Sequence, residues 1–291
     1  MPNTRYGKLI VDELRAPAQV MAALPQYLKF GKRILWIDNN IVKGSFQMNC
    51  SWYLRPTERG PAPHAHDVDE IVAFFGNDPD NPYDLGGKIE FWIDNEQFII
   101  DKSSLFFVPA GVKHSPLLIK RADRPMIHFT VVTSSEYIMK EAGWKEPPAS
   151  GYKNNLIQDL RMPPEKQAIA RDYNKYARRV LWMDENVVPG AFHLNTAWYL
   201  KAGPTLENVP HVHADGEIIG FLGSNPDRPE DLNGEIELWI GGEQHIITRS
   251  AMVYIPGGLK HCPLILRRVD RPIFHYTVVP GKQYIKDELS L

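Results

Sequence analysis

Between Ser45 and Leu54 apolar and polar side chains alternate. Phe46, Met48, Cys50, Trp52 and Leu54 fall on one side and Gln47, Asn49, Ser51 and Tyr53 on the other, the period of two expected of a strand with one apolar face. Further short runs rich in Ile, Val, Phe, Trp and Tyr occupy 71–75, 88–93, 97–100, 105–108 and 125–132, bounded by Gly, Pro, Asn and Asp. Such punctuation predicts strands separated by turns. Helical patterning is scarce, with short candidates at Pro17–Leu28 and Pro164–Arg178. Many short strands and few helices predict an all-β sandwich or barrel.

The pattern occurs twice. HAHDVDEIVAFFG at 64–76 matches HVHADGEIIGFLG at 211–223, and the same offset of 147 pairs Trp92 with Trp239, His114 with His261 and His128 with His275. Upstream the offset is 146, pairing Tyr6 with Tyr152, Trp36 with Trp182 and Trp52-Tyr53 with Trp198-Tyr199, so the second copy carries one extra residue between Leu200 and His211. A duplicated unit follows, with domains expected at 1–146 and 147–291 and a Pro/Gly-rich joint near 140–151. The length of 291 residues agrees, since domains average roughly 150 residues and either half is long enough to bury its own core.

Composition mainly excludes. Hydrophobic residues at 43% and charged residues at 23% are those of an ordinary globular protein, not a disordered, collagen-like or coiled-coil chain. A net charge of −2 supplies no positive field for nucleic acid or an anionic membrane. Cys50 and Cys262 stand at unrelated places in the two copies and are expected as free thiols in a reducing compartment. The first residues carry charges without an apolar stretch, and no run approaches the roughly 18 apolar residues of a membrane helix. A cytoplasmic protein is expected.

Six of the ten histidines, with two glutamates, form two equivalent sets: His64, His66, Glu70 and His114, and His211, His213, Glu217 and His261. Residues two apart on a strand point to the same side, so His64 and His66 can reach one point. A straight strand would place Glu70 about 20 Å from His64, far beyond metal–ligand bonds of about 2 Å; a shared ion therefore requires the chain to fold back. AspValAsp at 67–69 and AlaAspGly at 214–216 are turn residues at the required place. The fourth ligand follows a distant tight bend, ProAlaGlyValLysHis at 109–114 and ProGlyGlyLeuLysHis at 256–261. A lone HxH pair is ordinarily two surface or core histidines. Packing does not require that a whole four-residue set be kept in both copies, and this favours metal.

HxHxxxE followed some forty residues later by PxGxxH resembles the two motifs of the cupin superfamily, and the duplication resembles a bicupin. The resemblance covers nearly all of both units. It implies two tandem jelly-roll-like β-barrels with a few short helices, and one divalent metal per domain on the eight residues just named. Departures from the family pattern are Glu58 and Thr205 where a Gly is usual, Gly76 and Gly223 arriving one residue early, and Leu118 and Ile265 in place of an Asn. A shared insertion, GlyAsnAspProAspAsnProTyrAspLeuGly and GlySerAsnProAspArgProGluAspLeuAsn, occurs in both copies.

Three imidazoles and a carboxylate leave about two positions open on a six-coordinate ion and suit Fe(II), Mn(II), Ni(II), Cu(II) or Zn(II). A closed structural zinc site would contain thiolates. The resemblance implies dioxygenases, decarboxylases, isomerases and non-catalytic storage proteins on one scaffold, so the fold does not name the reaction. The leading expectation is a dioxygenase, with Fe(II) favoured, acting on a small oxygen-rich metabolite. A redox-neutral lyase, decarboxylase or isomerase using the metal as Lewis acid is the alternative, and a non-catalytic binding protein the third.

His128 and His275 are candidate acid–base groups or ligand-orienting groups. Tyr53, Tyr199, Asn49 and Asn195 are candidate substrate contacts, or else face solvent or the other unit. Glu90 and Glu237 are candidate acids for which an exposed ion-pair role is favoured. The copies differ where Gln47 aligns with His193, Ser115 with Cys262 and Phe129 with Tyr276, so both centres are expected to hold metal and one to be tuned for chemistry. Exposed barrel edges make a homodimer plausible.

Overall fold

The computed structural model describes residues 4–141 and 148–288; part of the expected joint, 142–147, lies outside the described residues. In chain order the strands are β1 (Ile10–Val11), β2 (Gly31–Ile37), β3 (Gln47–Tyr53), β4 (Glu70–Gly76), β5 (Asp84–Ile93), β6 (Glu96–Lys102), β7 (Ser104–Val108), β8 (His114–Ala122), β9 (Met126–Val132) and β10 (Leu156–Ile157). The second copy continues with β11 (Ala177–Met183), β12 (His193–Tyr199), β13 (Gly203–Pro204), β14 (His211–Val212), β15 (Glu217–Gly223), β16 (Asp231–Ile240), β17 (Glu243–Arg249), β18 (Ala251–Ile255), β19 (His261–Val269), β20 (Ile273–Val279) and β21 (Asp287–Glu288). Helix α1 spans Ala18–Tyr27; its counterpart is broken into α2 (Pro164–Ala168) and α3 (Ala170–Tyr173). The longer second helix expected to Arg178 is cut short because Ala177–Met183 pairs with β12 instead.

The first unit comprises Leu14–Asp159. Its larger sheet runs β10-β7-β4-β9-β3-β2 and its smaller one β6-β5-β8, all neighbours antiparallel. Tyr53, Val72, Phe74 and Phe106 of the larger sheet form one core with Ile89 and Phe91 of the smaller. The second unit repeats the plan, with β1-β18-β15-β20-β12-β11 as its larger sheet and β17-β16-β19-β14-β21 as its smaller. Its Gly220 lies opposite Tyr276, where a Cβ would come within 1.9 Å of the ring; the first unit has Ala73 opposite Phe129 at this point.

The domain boundaries differ from 1–146 and 147–291. The second unit takes the residues up to Glu13 together with those from Leu160 onward. Ile10 and Val11 pair with Val253 and Met252, and the corresponding Leu156 and Ile157 pair with Phe106 and Leu105 of the first unit. Each two-residue strand thereby covers a sheet edge whose peptide groups would otherwise lack partners.

The alternation in β3 also has a different meaning from a core face and a solvent face. All seven residues of β3 are buried, and the polar side is turned inward: Tyr53 belongs to the core and Asn49 lines the cavity within the first unit.

Candidate metal centres

Each quartet is assembled by two turns that hydrogen-bond to one another. In the first unit His64 and His114 exchange both backbone bonds, 3.0 and 2.9 Å, while Gly111 N–H donates to the His66 carbonyl at 2.7 Å and Ala110 N–H to Asp69 Oδ1 at 3.0 Å. The second unit has the same closure from Gly258 N–H to the His213 carbonyl, 2.8 Å. Gly111 and Gly258 have φ of 76° and 75°, a region that a side chain at these bends would disfavour. The chain bends at 67–68, returns along β4, and brings Glu70 back to the histidines.

The side chains converge. The ligand nitrogens of His64, His66 and His114 lie within 4.8 Å of one another, and Glu70 Oε2 is 3.5 Å from His66 Nε2 and 2.9 Å from His114 Nε2. In the second unit His213, Glu217 and His261 form an equally tight group, as do His211, His261 and Cys262; Glu217 Oε2 is 3.5 Å from His213 Nε2 and 3.0 Å from His261 Nε2.

All six imidazoles are tied at Nδ1 to a backbone carbonyl: His64 to Ala62 at 2.8 Å, His66 to Ile138 at 2.7 Å and His114 to Val112 at 3.1 Å. His211 is tied to Val209 at 3.0 Å, His213 to Ile285 at 2.6 Å and His261 to Leu259 at 3.1 Å. A carbonyl only accepts, so Nδ1 carries the hydrogen and the Nε2 lone pair faces the centre.

At that centre the Nε2 atoms of His66, His114, His211, His213 and His261, both Glu70 carboxylate oxygens and Glu217 Oε2 are buried without hydrogen-bond partners. So many inward-facing acceptors are costly unless a cation satisfies them. Donors sharing one ion at about 2.1 Å lie roughly 3–4 Å apart; the carboxylate–imidazole distances of 2.9–3.5 Å match this, and the remaining imidazoles lie within 4.8 Å of ligand neighbours. The residues fit a divalent metal.

Burial, reinforced by the neighbouring ligand histidine, pushes His64 and His211 down to about 4. Burial alone would raise Glu70 and Glu217, but the surrounding imidazoles outweigh it and both lie below the usual carboxylate range. Burial alone would lower His114 and His213, but the same carboxylates outweigh it and raise both. Metal binding needs neutral imidazoles and an ionised carboxylate, so an incoming ion competes with a proton at these two positions.

Three members of the first quartet, His64, Glu70 and His114, line a cavity of about 1020 Å³ that is also lined by Arg33, Asn49, Tyr53, His128, Thr130 and Tyr137. Arg33 Nη1 donates to Asn49 Oδ1 at 2.7 Å, and Asn49 Nδ2 donates to Thr130 Oγ1 at 2.7 Å, a row across β2, β3 and β9. The guanidinium lies over the Tyr27 ring at 4.7 Å, and among the described residues no carboxylate pairs with it. Tyr137 Oη is 3.3 Å from His64 Nε2; burial, then the Glu70 charge, pushes its phenol well above its ordinary range.

Neither Arg33 nor Tyr137 stood out in the sequence, although the repeat pairs them with Arg179 and Tyr284. Asn49 and Tyr53 line the cavity and do not face solvent. In the second unit Asn195 and Tyr199 are likewise buried, with Asn195 Oδ1 accepting from Arg179 at 3.0 Å.

His128 is clamped between Tyr53 and Phe74, at centroid distances of 4.5 and 5.1 Å, and its Nδ1 donates to the Ala73 carbonyl at 3.0 Å. His275 repeats the arrangement with Tyr199, Phe221 and the Gly220 carbonyl. Burial pushes both down to about 4. They are therefore neutral near pH 7. Glu90 and Glu237 are engaged in ion pairs, but not as exposed residues: Glu237 is buried and Glu90 partly buried. Glu90 accepts from Trp92 at 2.9 Å and pairs with Lys120, and Glu237 accepts from Trp239 and Arg267. Both cysteines are free thiols and buried.

The second quartet has charged neighbours that the first lacks. Glu207 and Lys286 form an ion pair of 3.0 Å at the repeat positions of Gly60 and Met139, and both act on His211. Lys166, at the position of Val20, lies 6.0 Å from the Trp182 ring and 5.3 Å from that of Tyr284, which in turn packs on His213 at 4.8 Å. A smaller cavity of about 170 Å³ beside Lys166, Tyr173 and Arg179 includes none of the four ligands.

No protein-family model matches the chain and no curated protein sequence matches it. Solved structures do. Oxalate decarboxylase of Bacillus subtilis, a structure described for its Mn(II) centres, is 12% identical, covering 89% of this chain and 75% of its own, with a TM-score of 0.58. AerE from Microcystis aeruginosa is 12% identical, covering 86% of this chain and 92% of its own, with a TM-score of 0.50. At such identities the likeness concerns the fold: the chain has the all-β bicupin fold. No helix among the described residues is long and apolar enough to cross a membrane.

Proposed function

We propose, from this bicupin fold, that the chain is a metal-dependent enzyme acting on an oxygen-rich carboxylate in the first unit by redox-neutral, decarboxylase-like chemistry. His64, His66, Glu70 and His114 would hold one divalent ion, and His211, His213, Glu217 and His261 another. The observation that carries the reading is one cavity lined by His64, Glu70 and His114 of the first quartet and by Arg33, which has no carboxylate partner among the described residues. A bound ion supplies Lewis acidity, stabilising negative charge on a substrate oxygen.

The protein's own residues do the rest. Arg33, held in orientation by Asn49 and Thr130, offers a planar donor pair to a carboxylate. When a carboxylate leaves as CO₂, the electron pair of the broken C–C bond stays on carbon and takes up a proton. Tyr137 Oη, in the same cavity and kept protonated by burial, is our candidate donor. His128 supports the wall as a neutral ring stacked on Tyr53.

Imidazole and carboxylate donors suit Mn(II) as well as Fe(II), and the Mn(II) centres of the oxalate decarboxylase neighbour are the reason to load Mn(II) first. The dioxygenase reading draws on the same site, whose four ligands leave about two coordination positions free.

The test is elemental analysis of protein purified without a His-tag, then CO₂ release from oxalate and 2-oxo acids with and without O₂. Metal-dependent release that is equal in both atmospheres is expected. Turnover only in O₂ would move the protein to the dioxygenases, and protein that takes up no metal would refute both readings.

A further inference from the structure

The first-unit cavity, about 1020 Å³, reaches the upper end of pockets that enclose whole organic ligands, far more than a two-carbon diacid fills. Beyond His64, Glu70, His114 and Arg33, its wall includes Val20, Ala23, Leu24 and Tyr27 of α1 with Leu117 and Ile119 of β8. The four α1 residues are spaced i, i+3, i+4, i+7, so they form one apolar helix face. Yet none of the ten residues of α1 is buried. An apolar face left part-exposed along a cavity gains by contact with an apolar ligand surface. The second copy does not keep this face: Lys166 and Ala170 replace Val20 and Leu24, and the helix is broken.

We propose that the first unit binds a carboxylate bearing an extended apolar body, its head at Arg33 beside the His64–His66–Glu70–His114 quartet and its body along the Val20–Leu24–Tyr27 face of α1. The placement of the head rests on the functional reading above; the apolar body goes beyond it.

Isothermal titration calorimetry of the full chain with pyruvate and 2-oxooctanoate, which share a head and differ in chain length, tests this. Each buried methylene strengthens binding about fourfold at most. For a wall that stays partly wet, 2-oxooctanoate is expected to bind on the order of 30-fold tighter than pyruvate. Leu24→Gln and, separately, Val20→Thr place polar atoms on a helix with no buried residue, and each is expected to erase most of that preference. Equal affinity for the two acids, or a preference indifferent to both substitutions, overturns the proposal.

The α1 face does not depend on metal, so the preference is expected in metal-free protein too. A chain that keeps the preference but loads no metal refutes the catalytic reading alone. A chain that loads metal and binds both acids alike refutes only the apolar body.

Discussion

The two units place equivalent quartets at equivalent depth and then diverge at the rim. In the first, Val20, Gly60 and Met139 border a large cavity; in the second, the same repeat positions hold Lys166, Glu207 and Lys286, with Lys286 paired to Glu207 and Lys166 over aromatic rings. The two sets of positions are under different physical constraints. Four atoms that must meet one ion tolerate almost no displacement, and the carbonyl ties at Nδ1 fix each ring from behind. A rim residue supplies no ligand atom, so an apolar side chain can become a charged one while the barrel stays intact. The difference between the copies therefore concerns what can reach each quartet more than the quartet itself.

The harshest way to break this comparison is to remove one ligand from each unit. His66→Ala and His213→Ala should each halve the metal content measured by elemental analysis. His66→Ala should also lower turnover on the order of 100-fold or more, because it dismantles the centre beside Arg33. His213→Ala should cost less than about tenfold, through stability alone. Equal losses would show that both centres act, or that neither acts alone.

Much of this was legible in the sequence, for identifiable reasons. The quartets could be read because metal ligation demands particular residue types at particular spacings, and because the repeat displayed them twice. Strands such as β4 and β9 could be read because Ile, Val and Phe cluster between turn residues. Two features could not be read so directly. Ile10–Val11 and Leu156–Ile157 are two-residue strands, too short for periodicity to mark, so their places on the sheets emerge only from pairing. Arg33 sits in an ordinary strand, and nothing local distinguishes it from a surface arginine; its chemistry comes from Asn49 on the neighbouring strand. The inward turn of the polar side of β3 was equally hidden, since alternation shows that two faces differ and not which one is inside.

A milder test converts one rim into the other. Lys166→Val, Glu207→Gly and Lys286→Met together give the second unit the first unit's residues at these positions. Making the changes together avoids leaving a half-buried charge without its partner. The triple variant, which keeps Ala170 at the position of Leu24 and the broken helix, is expected to bind a second equivalent of 2-oxooctanoate more weakly than the first, as read by calorimetric stoichiometry. Binding that stays at one equivalent would mean that the difference between the two sites lies deeper than the rim, with His193 against Trp182 and Tyr284 as the next group to examine.

The smallest expected effect concerns what the units share. His128 and His275 are both pushed down to about 4 by burial between aromatic rings, from an unfolded value near 6.5. Between those two pH values the unfolded chain binds a proton at each position that the folded chain does not, so stability is fully present above about pH 6.5 and falls as the pH is lowered toward 4. The slope should be at most about 1.4 kcal/mol per pH unit for each histidine. Phe has no group to titrate and can still stack, so His128→Phe and His275→Phe should each remove one such contribution from the pH dependence of the unfolding free energy, whatever they do to its absolute value. Denaturant unfolding of both variants and the parent protein across this range gives the three slopes. Equal flattening by the two substitutions would place the divergence of the units outside this layer. Flattening by one alone would show that it extends beneath the rim and into the barrel wall.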